Sequence, residues 1–115
     1  MSNPNVLQKA TQHYQNQIKN MSSIDVPEWD TKIWFRPVTT LALEAQVIDL
    51  AKKDKTVEAM VVTIINKARH EDGTLMFNKH DKTALMNEVD PKVILRIAEK
   101  INGGALPKPE ELEKN

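Results

Sequence analysis

The 115-residue chain contains no cysteine. This excludes disulfides, zinc thiolate sites and thiol nucleophiles together, and it fits a reducing compartment. Only three glycines occur, none of them in a phosphate-cradling loop. Charge of one sign is also missing: Lys+Arg and Asp+Glu are 16 each. A nucleic-acid module usually carries a basic excess or stripe. Here the cluster Lys52, Lys53 and Lys55 is interrupted by Asp49 and Asp54, which reads as a solvated helix end. No apolar run approaches the roughly 18–20 residues that span a bilayer. The start "MSNPNVLQKA" lacks the pattern of a signal peptide. The expectation is a soluble, intracellular, single-domain protein.

Aromatic residues are scarce: two Trp, two Phe and one Tyr. Trp29, Trp34 and Phe35 all fall within "VPEWDTKIWFRPVT", Val26 to Thr39. This segment is strand-favouring, with Ile24 and Val26 two apart and a second run "KIWFRPV". The pattern predicts a two-stranded hairpin turning at Asp30-Thr31. Pro27 and Pro37 give it irregular positions. Alternation puts Ile33 and Phe35 on one face and Trp34 on the other. A hairpin alone is marginal in water, so Ile33 and Phe35 are expected to pack on helices. Trp34 is then free for a partner, or covered by the N-terminal arm through Tyr14 or Ile18.

That arm, residues 1–22, is polar, with a thin stripe of Val6, Ala10, Tyr14 and Ile18 at four-residue spacing. It predicts a flexible segment or a helix that docks on a partner. After the hairpin the spacing turns helical. Thr39 or Thr40 caps a helix to about Lys53, with Leu41, Ala45, Ile48 and Ala51 inward. Thr56 caps a second to about Arg69, whose Val57, Met60, Val61, Ile64, Ile65 and Ala68 follow the i, i+3, i+4, i+7 pattern. Asp72-Gly73 turns the chain into a short extended piece, "TLMF". Asn78 caps a third helix to about Asn87, burying Leu85 and Ala84. Asp90 at the N-cap and Pro91 at the first position open a final helix. It presents Val93, Ile94, Ile97, Ala98 and Ile101 and stops at Gly103-Gly104. Residues 104–115, Pro-containing and acidic, read as a disordered tail. The fold class is mainly α (α+β): an N-terminal β-hairpin followed by about four helices packed as a small bundle. Residues 23–103 form the domain, its core centred on Val61, Ile64, Ile65, Ile94 and Ile97.

Chemistry is sparse. With Gly73 at the sixth position of a calcium loop, the first and last ligand positions are Ala68 and Lys79, which cannot bind. His13, His70 and His80 lack zinc-helix spacing. No nucleophile elbow or paired carboxylates stand in a recognisable frame. The expectation is a non-enzymatic interaction protein without cofactor or metal, with Trp34, Trp29 and Tyr14 as its candidate protein-interaction residues.

The order of elements resembles the tail assembly chaperones of long-tailed bacteriophages. The resemblance is carried by "VPEW" (Val26–Trp29), a second strand ending "FRPVT" (Phe35–Thr39), and a helix. A central apolar helix, the turn "EDGTLMF" (Glu71–Phe77), a short helix and a final helix ending Asn102-Gly103 follow. It covers about Ser23 to Gly103 and rests on order and spacing. The family's Thr-x-x-Glu box is absent, since Glu44 lies one position too far from Thr40. The resemblance implies a chaperone that binds the tape measure protein and keeps it soluble in the host cytoplasm, and that is absent from the finished virion. It further implies self-association, and a frameshift-extended form that recruits tail tube protein. Glu113-Lys114-Asn115 is compatible with an A-rich slippery run. No nucleic acid or membrane partner is expected. The competing readings are a small phage-encoded regulator, DNA-binding or anti-repressor, and a structural virion component. Lys67 as the one base near the end of the second helix argues against a recognition helix.

Overall fold

The structure, a computed structural model, describes residues 4–36 and 39–102. The acidic tail, Gly103-Gly104 and Pro37 lie outside the described residues. Eight elements follow in order: α1 (Pro4–Ile18), β1 (Ser22–Val26), β2 (Thr31–Phe35), α2 (Leu41–Lys52), α3 (Thr56–Lys67), β3 (Ala68–Arg69), α4 (Lys82–Asn87) and α5 (Pro91–Ile101). The α+β architecture is the one the sequence predicts, a hairpin then four helices, with helix α1 ahead of the hairpin and a third short strand added to it.

The hairpin pairs Ile24 with Ile33 and Ser22 with Phe35. Ile24, Val26, Ile33 and Phe35 are buried, so one face of the sheet meets the helices. Its connection is longer than an Asp30-Thr31 turn: a 3-10 turn over Pro27–Trp29 leads into Asp30 at φ 50°. Pro27 occupies the first position of that turn, where no N–H is needed. A third strand extends the sheet in the order β1-β2-β3, pairing Phe35 with Ala68 and Trp34 with Arg69. The apolar spacing predicts a helix continuing to about Arg69. The helix ends at Lys67 because the edge of β2 takes the backbone instead, with the Arg36 N–H donating to Lys67 O at 3.3 Å. The chain then folds back on itself. His70 donates to Thr74 O at 2.8 Å and Met76 to Ala68 O at 3.2 Å, around Gly73 at φ 90°. A left-handed φ of that kind is the reason for glycine there.

The core forms where the sheet's inner face meets α3 and α5. Val61, Ile64, Ile65, Ile94 and Ile97 are all buried, as are Ala68, Leu85, Val93, Ala98 and Ile101. Asp90 caps α5, its carboxylate accepting from the Lys92 N–H at 2.9 Å. Asn78 opens the next-to-last helical segment through a reciprocal capping box with Asp81, but the first turn is 3-10 and α4 starts only at Lys82.

Helix α2 departs from expectation in its register. Leu41 is 86% exposed, and Ala45 and Ile48 also face solvent. The inward side is Leu43, Val47, Leu50 and Ala51. Apolar residues surround this helix, so spacing alone did not single out a face. Thr40 is the cap, accepting from the Leu43 N–H at 3.2 Å. The Thr39 hydroxyl instead donates to Glu44 Oε1 at 2.6 Å, and Lys67 Nζ lies 3.2 Å from the same oxygen. Thus Glu44, misplaced for a capping box, ties the start of α2 to the end of α3. Thr56 is not the cap of α3: Lys55 holds that position without a side-chain bond, after Asp54 at φ 63°. Val57, expected inside, is 59% exposed.

Candidate protein-interaction surfaces

Two surfaces stand out. The first is the outer face of the sheet, which carries Ser23 and Asp25 from β1, Lys32 and Trp34 from β2, and Arg69 from β3. Directly opposed residues of an antiparallel pair share a face, and the register opposes Ser23 and Arg69 to Trp34 and Asp25 to Lys32. Trp34 is half-buried. Lys32 Nζ stands 5.7 Å from its ring centroid, within cation–π range, and 3.9 Å from Asp25.

On helix α1 the less exposed residues lie toward its end. Tyr14, Gln17 and Ile18 are half-buried, and Tyr14 is an electrostatic neighbour of Arg69. Arg69 thus stands opposite Trp34 in the ladder and interacts electrostatically with Tyr14 of α1. Toward its start α1 is bare, with Val6 66% and Leu7 70% exposed. Trp29 is in a different place. It closes the hairpin turn and packs, half-buried, against the core. Trp34 therefore lies on the outer face of the sheet, Tyr14 is on α1, and Trp29 is set apart against the core.

The second surface is a groove of about 310 Å³ between α3, α4 and α5. Val57, Met60, Leu85, Met86, Ile94 and Leu95 are among its walls. Val57, Met86 and Leu95 are exposed there. Sequence reasoning missed this groove because three helices build it. Its one signal was the apolar residues that exceed the core stripe, Leu95 beside Ile94 and Met86 beside Leu85.

At the hairpin turn Glu28 binds Arg96 of α5 through two charge-assisted bonds of 2.6 and 2.7 Å. The Arg96 hydrogen bond is the main cause that lowers the Glu28 carboxyl from 4.5 to about 2. Lys82 likewise meets Glu58 at 2.8 Å, joining α4 to α3 and lowering the Glu58 pKa. These pairs brace the sheet and the groove walls against the core helices.

Among the described residues no group of three or more acidic or histidine side chains is placed to hold a metal. No described helix is long and apolar enough to cross a membrane. No family model matches the chain, and neither curated proteins nor solved structures yield a match.

Proposed function

We propose that this protein is a non-enzymatic chaperone of the phage tail assembly type, which holds the apolar helical regions of a tape measure protein in solution while the tail tube is built. The observation that carries this reading is the exposed apolar groove between α3, α4 and α5. A groove of that size accepts the apolar face of an amphipathic helix, read through anchors at i, i+3, i+4 and i+7. Met60 and Met86 in its walls are unbranched and adaptable, which suits a site that takes many segments of one long client. Support also comes from the order of elements, since hairpin, helix, apolar helix, glycine turn, short helix and final helix occur in the sequence the resemblance implies.

In this account Trp34 and Tyr14 supply a second patch for client or self-association. A frameshift-extended form would bring the tail tube protein to the same complex. The protein acts in the host cytoplasm and leaves before the virion is complete. The test is co-expression with a tape measure fragment, reading the soluble fraction of the fragment with and without the chaperone. Mass spectrometry of purified particles adds a second reading. Recovery of the protein there in stoichiometric amount would assign it to the virion instead.

A further inference from the structure

The chain has three arginines, Arg36, Arg69 and Arg96. Arg96 is saturated by Glu28. Neither Arg36 nor Arg69 has a carboxylate within ion-pairing reach among the described residues. The β2–β3 pairing brings them together: Arg69 lies opposite Trp34, and the Arg36 backbone bonds to Lys67, two residues before Arg69. Each guanidinium is held by one backbone carbonyl. Arg69 Nη2 donates to Asn66 O at 3.1 Å, and Arg36 Nη2 reaches Gly73 O at 3.5 Å. A guanidinium has five N–H donors in a fixed fork. Here the Nε of both is buried without a partner. The Nε groups are closed to solvent, so the donors an incoming anion can reach are the Nη groups, of which each arginine commits one to a carbonyl. Burial, then the charge of Arg36, lowers the Arg69 pKa.

The surroundings define what that anion is attached to. Arg69 also lines a cleft of about 390 Å³ together with Leu43, Ile65, Leu75 and Phe77. The carboxylate of nearby Asp72 is already engaged, accepting from the Thr74 hydroxyl and N–H at 2.6 and 3.0 Å. Arg69 therefore has an aromatic ladder partner, Trp34, and also borders an apolar cleft. We propose that Arg36 and Arg69 form a carboxylate site for an acidic–apolar segment of a partner protein. One Glu or Asp side chain bridges the two guanidiniums, and an adjacent apolar side chain enters the cleft. Planar, bidentate recognition of carboxylate is what paired arginine forks do best. A nucleic-acid strand is disfavoured, because it needs a longer basic track than this pair offers in a chain of zero net charge. The proposal stands independently of the phage reading.

The three arginines make the test internally controlled. The probe is a synthetic heptapeptide alternating Glu and Leu, titrated into the full chain while the arginine Nε–H signals are followed by NMR. The Arg36 and Arg69 signals should move together and the Arg96 signal should stay. Arg36→Gln and Arg69→Gln should each weaken the peptide about tenfold or more, the loss expected for one charge-assisted contact. Their melting temperatures should hold or rise, since a like-charge contact is relieved. The peptide with Gln in place of Glu should not bind. If a substitution disturbs folding, the wild-type titration decides. Equal movement of all three signals, no movement, or preferential movement with a single-stranded oligonucleotide would each overturn the proposal.

Discussion

Trp34 and Arg69 face each other across the β2–β3 ladder, on the side of the sheet turned away from the core. The next residue, Phe35, is paired with Ala68 and buried. One step along a strand thus separates a structural aromatic side chain from a surface one. Replacing Ile33, which is fully buried, by Ala should cost about 2–5 kcal/mol. Trp34→Ala should cost only about 1 kcal/mol, because the side chain is half-buried. Its main effect should be on client capture or oligomer size. Thermal melts of the two variants, with co-purification of a tape measure fragment, check the contrast. A large stability loss with capture intact would make Trp34 a core residue.

The centre of the fold is the contact of α3 with α5. Ile64 and Ile97 are both fully buried there. Ile64→Ala should lower stability by about 2–5 kcal/mol in denaturant melts. A loss below about 0.5 kcal/mol would mean that Ile64 does not sit in a packed core.

Much of this was readable from the chain. Helix α5 announces itself by Asp90-Pro91 and by one clean stripe from Val93 to Ile101. The two faces of the hairpin follow from alternation at Ile33, Trp34 and Phe35. Helix α2 was misread because Leu41, Leu43, Val47, Ile48 and Leu50 distribute around its axis, and only tertiary contacts choose among them. Strand β3 has two residues, too few for any period, and exists because β2 has a free edge. The arginine pair was illegible for the same reason, since Arg36 and Arg69 meet only through that pairing. Accordingly Leu41→Ser, at an 86% exposed position, should change stability by no more than about 0.5 kcal/mol.

Lys67 is buried at the end of α3, its ammonium 3.2 Å from Glu44. Removing the carboxylate leaves that charge without its partner. Glu44→Ala should therefore cost about 1 kcal/mol, the modest value reflecting a glutamate side chain that is 40% exposed. Lys67→Met together with Glu44→Gln should recover most of the loss. Urea melts of wild type and these two variants test the order.

The Glu28–Arg96 bridge gives a pH signature. The carboxyl is lowered from 4.5 to about 2 in the folded protein. Its stabilisation is therefore complete above 4.5 and is lost as the pH falls toward 2. Glu28→Gln should melt below wild type at neutral pH, and the gap should close across that acid window. A gap that is constant with pH would remove the bridge as its cause.

The account's central claim is that the groove between α3, α4 and α5 holds an apolar helical client. Met86 and Leu95 are 39% and 40% exposed there, so Met86→Glu with Leu95→Glu should leave the fold intact. The measurement is the soluble yield of a co-expressed tape measure fragment with wild type and with this double variant, the melting temperature of each being recorded. The account predicts a soluble complex with wild type and at least a tenfold loss of captured fragment with the folded double variant. Undiminished capture by the double variant, or no soluble complex with wild type, would contradict it.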